Sequence, residues 1–576
     1  MMNKSRIFLL LLVLMFIFFT FRLIQLQILD YEKNSKLALD NAARLIPVLA
    51  PRGVIFDRNG NILVQNRPVF MVYVLPHLLP KNPNPVFEKL GNILRIPKGV
   101  ILKRFKERKT PIFEGILIAR DVPVSVVSEI DEMSFDLPGV EVLKYPLRSY
   151  PNKQLAAHVL GFVGEITKEE LSLLKDDGYR LGDLIGKDGV DKVYDEYLRG
   201  TPGGKRLEVD ALGYPVRILE KLNPIPGDSL VLTIDNDLQK KVEDLLGYKE
   251  GAVVVLDPNN GEILAMASSP TYDSSKKWEE ISKKNHPFMN RAISSYPPGS
   301  TFKPVTLSAA LEEKVTRSDE MFYCSGAYRL GTRIAKCWKL EGHKSISVLE
   351  GLVQSCDVVF YELGRRLGPT KLKKYAKAFG LGEKIGVDLP GEKNGFIPDP
   401  EWKEERFGEK WYVGDSINIG IGQGYIQVTP LQLACMYGQI ALGKRMKPFV
   451  VKKIITSSGE AVFENKPYEI SPIEISSGTL GLIRDALHKV VIRGTGINAF
   501  VASMEAAGKT GTAENRGVAH AWFVAYAPYN NPKIVVVAFI AHGAHGDRVS
   551  ALITRDIFEW YLKNRTLKTA LQNNLL

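Results

Sequence analysis

The feature that most constrains this chain is an apolar run beside its N-terminus. Ile7 to Phe21 contains one polar residue, Thr20, and after Arg22 the apolar character continues through Leu23, Ile24, Leu26, Ile28 and Leu29. With Arg22 extending its charged end toward headgroups, Ile7 to Leu29 reaches the ~20 residues that a bilayer-spanning helix needs. A cleaved signal peptide has an equally short apolar core, but no small-x-small cleavage pattern follows the run; Arg22-Leu23-Ile24-Gln25-Leu26-Gln27 does. The expectation is an uncleaved anchor over residues 7–29, preceded by a short tail, 1–6, in which Lys4 and Arg6 favour the cytoplasmic side. Everything beyond residue 30 then lies across the inner (cytoplasmic) membrane, where disulfides are permitted and ATP is absent.

That placement changes the reading of the charge. The 576 residues carry 76 Lys and Arg against 64 Asp and Glu, a formal charge of +12. In a nuclear or cytosolic chain such an excess raises the question of nucleic acid. Here it points to lipid headgroups and polyanions across the membrane, and no nucleic-acid partner is expected. Four cysteines are too few for a disulfide scaffold.

Residues 30–225 mix short helical and strand patterns with many glycines and prolines. Pro51–Gly60 reads as an extended segment closed by an Asn-Gly turn. Gly186–Gly189 and Thr201–Gly204 carry turn chemistry around a short helix near Asp191–Leu198. No catalytic constellation stands out, and the region reads as scaffold. Past Pro224-Ile225-Pro226-Gly227 the texture changes. Asp228–Ile234 reads as a strand and Asp235–Leu246 as a helix with Asp235 as N-cap. Gly251–Leu256 and Glu262–Ala267 form a hairpin across Asp257–Gly261, and Ala521–Ala527 and Ile534–Ala541 form another across Pro528–Pro532. A helix from about Ala551 to Leu562 follows. Strands at both ends with helices between predict an α/β domain of the α+β type, with a central antiparallel sheet and segregated helices.

Three motifs carry chemistry. Tyr296–Lys303 leads into a helix running to about Lys314, which puts Ser300 at a helix N-terminus where developing negative charge is favoured. Lys303, three residues on, shares its face, and a neutral lysine there can take the serine proton. Taken alone, Ser-x-x-Lys is as well explained by an N-cap serine and a surface lysine. Ser355-Cys356-Asp357 follows in a helical pattern, and Lys509-Thr510-Gly511-Thr512 opens a strand-like segment. Gly508-Lys509-Thr510 is not the end of a P-loop, because the position that needs the first glycine is Ser503.

In this order, with 55 and 154 residues between Ser300, Ser355 and Lys509, the motifs resemble those of penicillin-binding proteins and serine β-lactamases. Over nearly its whole length the chain is similar to class B penicillin-binding proteins, most of all to the elongation-type penicillin-binding protein 2 group. Pro51–Gly60, Gly161–Gly164, Asn290-Arg291-Ala292 and Gly420–Gly424 support the likeness. It implies a pedestal (dimerisation-type) domain at 30–225, a transpeptidase domain at 226–566 and a tail at 567–576. It also implies a peptidoglycan D,D-transpeptidase that cross-links stem peptides of lipid-linked precursors, serves wall elongation and cell shape, and is a target of β-lactams. Its partners would be a membrane-embedded SEDS-family glycosyltransferase and other elongation proteins. Ser300 would be the nucleophile, Lys303 its base and Ser355 a proton relay. Lys509 and Thr510 would bind the terminal D-alanine carboxylate, and the amides of Ser300 and Thr512 would form the oxyanion hole. Two lysines near one serine should depress each other's pKa. Asp357 stands where most of the superfamily has asparagine, adding a negative charge beside Lys303. The alternatives are a division-type transpeptidase, a D,D-carboxypeptidase or β-lactamase, and a β-lactam-sensing receptor.

Cys324, Cys337, His343 and Cys356 fall between the first two motifs at gaps of 12, 5 and 12 residues. Cys3His is a tetrahedral zinc set, and some penicillin-binding protein 2 enzymes are similar in carrying zinc near the active site, where carboxylates would take the places of Cys324 and Cys337. Zinc here would be structural and would fix the second motif; no nucleotide cofactor is expected. A Cys324–Cys337 disulfide and unligated thiols are the competing readings. Cys435 reads as a core thiol, and His158 and His286 as structural. His520, ten residues past Thr510, could line the cleft, and Trp411-Tyr412 and Tyr425 could shape the acceptor groove.

Overall fold

A computed structural model describes residues 4–32, 43–107, 115–179, 182–209, 215–276, 280–470, 475–514 and 517–573. Helix α1 (Lys4–Ile24) runs on through a π-helical turn, Gln25–Leu29. Within it Phe8–Leu29 is long and apolar enough to cross a membrane, and none of it is buried against the rest of the chain.

The chain forms two compact units that do not follow one cut of the sequence. The first comprises residues 1–53, 66–149 and 199–227. Its core joins Val72 and Val74, Phe87 and Leu90, Ile116 and Ile118, and Ile130. A three-stranded antiparallel sheet pairs Ala43–Val48 with Gly203–Val209, and that strand with Pro215–Leu222.

The second unit takes residues 54–65, 150–198 and 228–576. Its first stretch begins with the short strand Ile55–Phe56, closed by a turn in which the Asp57 carboxylate accepts from the Asn59 and Asn61 amides. The expected helix near Asp191–Leu198 is two short ones, Gly189–Val193 and Asp195–Leu198. Helix α2 (Asn236–Leu246) starts as expected, with the Asp235 side chain accepting from the amides of Asp237 and Leu238.

Five antiparallel strands make the central sheet: β1 (Gly251–Leu256), β2 (Ile263–Ser269), β7 (Ala507–Ala513), β8 (His520–Ala527) and β9 (Ile534–Ile540), in the order β2-β1-β9-β8-β7. The first and last parts of the domain therefore meet as β1 and β9, with Val253 opposite Ala538. Both hairpins are present. In the first, Asn259 donates its amide to Asp257 and Gly261 takes φ +84, a left-handed value that glycine adopts at no steric cost.

Alternation along the strands splits the core between two faces. Val253, Val255, Phe523 and Val536 pack with Leu238 and Val242 of α2 and with Ile557 of α9 (Ser550–Asn573). Val254, Trp522, Val524 and Val537 pack with Val305 of α3 (Lys303–Glu312), Val359 of α5 (Asp357–Ala378) and Leu433 of α7 (Pro430–Leu442). Cys435 is a buried core thiol on α7, raised to about 12 by burial. The closing helix continues to Asn573, well past the expected Leu562 and into the expected tail; residues 574–576 lie outside the described ones.

Between α3 and α5 lies a small lobe. Strands β3 (Met321–Cys324) and β6 (Lys344–Ser347) pair antiparallel, as do β4 (Ala327–Leu330) and β5 (Arg333–Lys336). Helix α4 (Val348–Val353) then leads to α5.

Candidate active site

Ser300 sits in a single 3-10 turn, Gly299–Phe302, and the α-helix proper begins at Lys303. The turn is pinned from outside. Gly299 has φ +55 and donates its amide to the Gly422 carbonyl at 2.9 Å, and a Cβ on it would lie 2.5 Å from the Thr512 carbonyl oxygen. Only glycine lets this turn lie so close to β7. Ser300 is half-buried.

The second motif does not continue a helix as its pattern suggests. Ser355 takes φ +52, which ends α4, and Cys356 is the extended N-cap of α5. A left-handed serine is uncommon. The reason lies in what the break presents: both the carbonyl and the hydroxyl of Ser355 turn toward buried lysine side chains. Lys303 Nζ donates to Ser355 O at 2.9 Å, to Ser355 Oγ at 3.1 Å and to Asp357 Oδ1 at 2.8 Å. Lys509 Nζ donates to the same Ser355 Oγ at 2.9 Å. Each lysine is 0 % exposed. One hydroxyl thus bridges two lysines, and the serine between them is Ser355.

Asp357 uses both oxygens. Oδ1 pairs with Lys303, and Oδ2 accepts the Trp338 backbone amide at 2.9 Å. An asparagine could not provide a charge here. Burial first, then repulsion from Lys303, pushes Lys509 well below the ordinary lysine value, with Asp357 opposing.

The third motif lies on β7, the end strand of the sheet, with Lys509 opposite Val524 and Thr512 opposite Ala521. Lys509 Nζ, Thr510 Oγ1 at 3.4 Å and Thr495 Oγ1, which is 2.8 Å from Thr510 Oγ1, converge on one spot suited to a carboxylate. Gly511 carries no side chain because a Cβ would stand 2.8 Å from Thr301 Cγ2. Gln423 Nε2 donates to Thr512 O at 3.2 Å. Thr495 escaped the sequence reading; its only local signal is its place between Gly494 and Gly496 just after helix α8 (Ser477–Arg493). Gly508-Lys509-Thr510 lies within a strand, unlike a P-loop.

Cys324, Cys337, His343 and Cys356 come together beside the second motif, their ligand atoms all within 4.8 Å of one another. His343 Nδ1 lies 3.6 Å from Cys324 Sγ and 3.7 Å from Cys337 Sγ. The cysteines are buried, and all four in the chain are free thiols, so Cys324 and Cys337 face His343 instead of closing a disulfide. The hydrogen bond between the two sulfurs lowers the Cys337 thiol and raises that of Cys356. Tetrahedral zinc with Zn–S bonds of about 2.3 Å needs sulfurs roughly 3.8 Å apart, a small contraction of this cluster. The soft, dry donor set fits zinc.

Other candidates have structural surroundings. His158 Nε2 is 2.7 Å from the Pro287 carbonyl in a buried pocket. His286 lies in a loop at φ +51, its carbonyl accepting from Arg291. His520 is buried against Tyr296, Phe539 and His542, and its Nδ1 accepts the His542 amide at 3.2 Å. Burial and His542 lower its pKa. Trp411 bonds Ser416, while exposed Tyr425 packs on Trp402 and Phe407, and exposed Tyr412 lies over the Lys403 ammonium.

Comparison with known proteins agrees with this geometry. Residues 251–559 match the family described as penicillin binding protein transpeptidase domain, and residues 47–232 the penicillin-binding protein dimerisation domain. The chain is 32% identical over 576 residues to peptidoglycan D,D-transpeptidase MrdA of Acinetobacter baumannii, covering 94% of this chain and 84% of that protein. It is 31% identical to MrdA of Escherichia coli K12, covering 91% and 88%. A solved structure of the Helicobacter pylori penicillin-binding protein PBP2 in complex with MreC matches with a TM-score of 0.79 at 29% identity, over 90% of this chain and 99% of that one.

Proposed function

The chain belongs to the class B penicillin-binding proteins and is a peptidoglycan D,D-transpeptidase of the elongation type; from that premise we propose the following roles for its residues. Ser300 Oγ attacks the carbonyl of the terminal D-alanyl-D-alanine bond while Lys303 takes its proton. The bond to the last residue breaks, the departing amine of D-alanine receives a proton passed through Ser355, and an ester to Ser300 remains. An amine of a second stem peptide then attacks the ester, loses a proton to the same relay and restores the serine hydroxyl. Lys509, Thr510 and Thr495 hold the terminal carboxylate, and the Ser300 and Thr512 amides receive the oxyanion.

The single observation that carries this reading is the Ser355 hydroxyl held by both Lys303 and Lys509, a proton path with a buried lysine amine at each end. Its test is labelling by a fluorescent penicillin. The wild type should be labelled and Ser300→Ala should not; labelling that persists in the variant assigns the nucleophile elsewhere. No observation among the described residues favours the carboxypeptidase, β-lactamase or receptor alternatives.

Three further parts belong to the same proposal. Cys324, Cys337, His343 and Cys356 would hold zinc, which when bound supplies a rigid tie between β3, the loop joining β5 to β6 and the start of α5. The N-terminus would face the cytoplasm and the catalytic unit the far side of the inner membrane, supported by Lys4 and Arg6 before the one such apolar helix among the described residues. A membrane-embedded SEDS-family glycosyltransferase and elongation-complex proteins would be partners, supported by the relative solved with MreC.

A further inference from the structure

Arg333 opens β5 and is exposed, yet its side chain is directed. Nη2 donates to Asn418 Oδ1 at 3.3 Å, and a Cβ on Gly414 would lie 2.9 Å from Nη1, so the guanidinium lies along α6 (Val413–Gly420). Among the described residues it makes no ion pair, in contrast to Arg365, Arg366 and Arg493, each held by a carboxylate. A full positive charge is therefore presented on a neutral amide.

Its position follows from three contacts. Asn418 O accepts the Gln423 amide at 2.9 Å, and Gln423 Nε2 reaches Thr512 O at 3.2 Å. Arg333 thus stands on the rim of the cleft, tied through two residues to the oxyanion end of β7. From the other side, the Tyr361 hydroxyl donates to the carbonyl of Lys336, the last residue of the strand that Arg333 opens.

The direction of the donor peptide follows from the proposed function, on which this inference rests. Its terminal carboxylate lies at Lys509, Thr510 and Thr495, and its reacting carbonyl at Ser300 and Thr512. An extended peptide advances about 3.3 Å per residue, so the residue before the D-alanyl-D-alanine pair lies level with Ala513 and Glu514. A long side chain from that residue opens onto the rim.

We propose that Arg333 is a specificity-determining residue, reading a carboxylate on the side chain of the donor residue that precedes D-alanyl-D-alanine. Two guanidinium N–H groups match a carboxylate in a fork that a lysine cannot reproduce. Asn418 holds the fork without neutralising it. Because the site is exposed, the effect is moderate, about five- to tenfold in rate.

The test uses two donor peptides that differ only in that side chain, one ending in a carboxylate and one in the corresponding amide. The readout is the ratio of their second-order rates of Ser300 acylation. Wild type should favour the carboxylate by about five- to tenfold. Arg333→Gln should bring the ratio close to one, and Arg333→Lys should restore part of it. A wild-type ratio near one, or a ratio that survives Arg333→Gln, overturns the assignment. So does an equal loss with both donors, which is what a purely structural tie to Asn418 would give. Penicillin acylation in the same samples reports whether the Ser300 site is assembled; failure of penicillin and both peptides in the wild type would count against the transpeptidase roles, not against Arg333 alone.

Discussion

The Ser355 hydroxyl lies between two lysine amines because its backbone takes the left-handed region, and no pattern of residue types announces that. Ser300, Lys303, Ser355 and Lys509 are legible as types in order, since each brings chemistry that a scaffold does not need. Thr495 and Gln423 are not, because an isolated threonine or glutamine gains meaning only from a neighbour distant in the chain. His158 shows the reverse: the sequence reading as structural fits its surroundings, and those surroundings make it titrate abnormally. Burial lowers its pKa from 6.5 to about 4, the bond to the Pro287 carbonyl opposes this, and Arg291 adds to the lowering. Between those values the unfolded chain binds the proton and the folded chain does not. Stability is therefore complete above pH 6.5 and falls as pH drops toward 4, by about 3 kcal/mol in total for this group. Urea unfolding at pH 7 and pH 4.5 should show most of that loss, and His158→Gln, which keeps a donor for Pro287, should lose markedly less. An equal loss in both proteins would place the acid sensitivity elsewhere.

At the scale of elements, the hairpins and the capped helix α2 were readable because Asp, Asn and Gly at fixed positions each satisfy a local need. The break between α4 and α5 was not, since Val348, Leu352, Val358 and Val359 continue a helical pattern across it and the interruption is imposed by lysines from two other elements. The approach of β7 to the nucleophile turn depends on Gly511, whose missing Cβ leaves room for Thr301 and, at 3.0 Å, for the Pro298 carbonyl and Trp522 Cβ. Gly511→Ala overpacks this contact, at a cost of about 1–3 kcal/mol. It should cut penicillin acylation at least about tenfold, since displacement of a reacting group costs rate steeply. A rate within about twofold of wild type would mean the strand yields without moving the serine. The Cys3His cluster joins β3, the loop after β5 and the start of α5 in the same way. A closed structural site is nearly full when metal is present. The purified extramembrane part should carry about one equivalent of zinc and Cys337→Ser much less; under ~0.2 equivalents in wild type would retire the site.

For the whole molecule, the question is what the apolar N-terminal helix contributes. The +12 charge belongs overwhelmingly to the portion beyond the apolar helix, and the two lysines the chemistry needs are buried. Phe8–Leu29 buries nothing against the protein. An element whose side chains meet only its surroundings cannot stabilise the catalytic fold by packing; its apolar surface is satisfied by lipid instead. Under the proposed placement the helix acts by location, holding the cleft where lipid-linked precursors would be, and not by shaping the site. Deleting residues 1–32 should therefore remove the need for detergent while leaving penicillin acylation within about twofold and the thermal midpoint within a few degrees of the full chain in detergent. Cross-linking of precursors embedded in vesicles should fall far more than acylation by a soluble penicillin, because only the former depends on being held at the surface. A tenfold fall in penicillin acylation on deletion would show instead that the helix braces the catalytic unit, and the division of labour between anchor and active site would have to be abandoned.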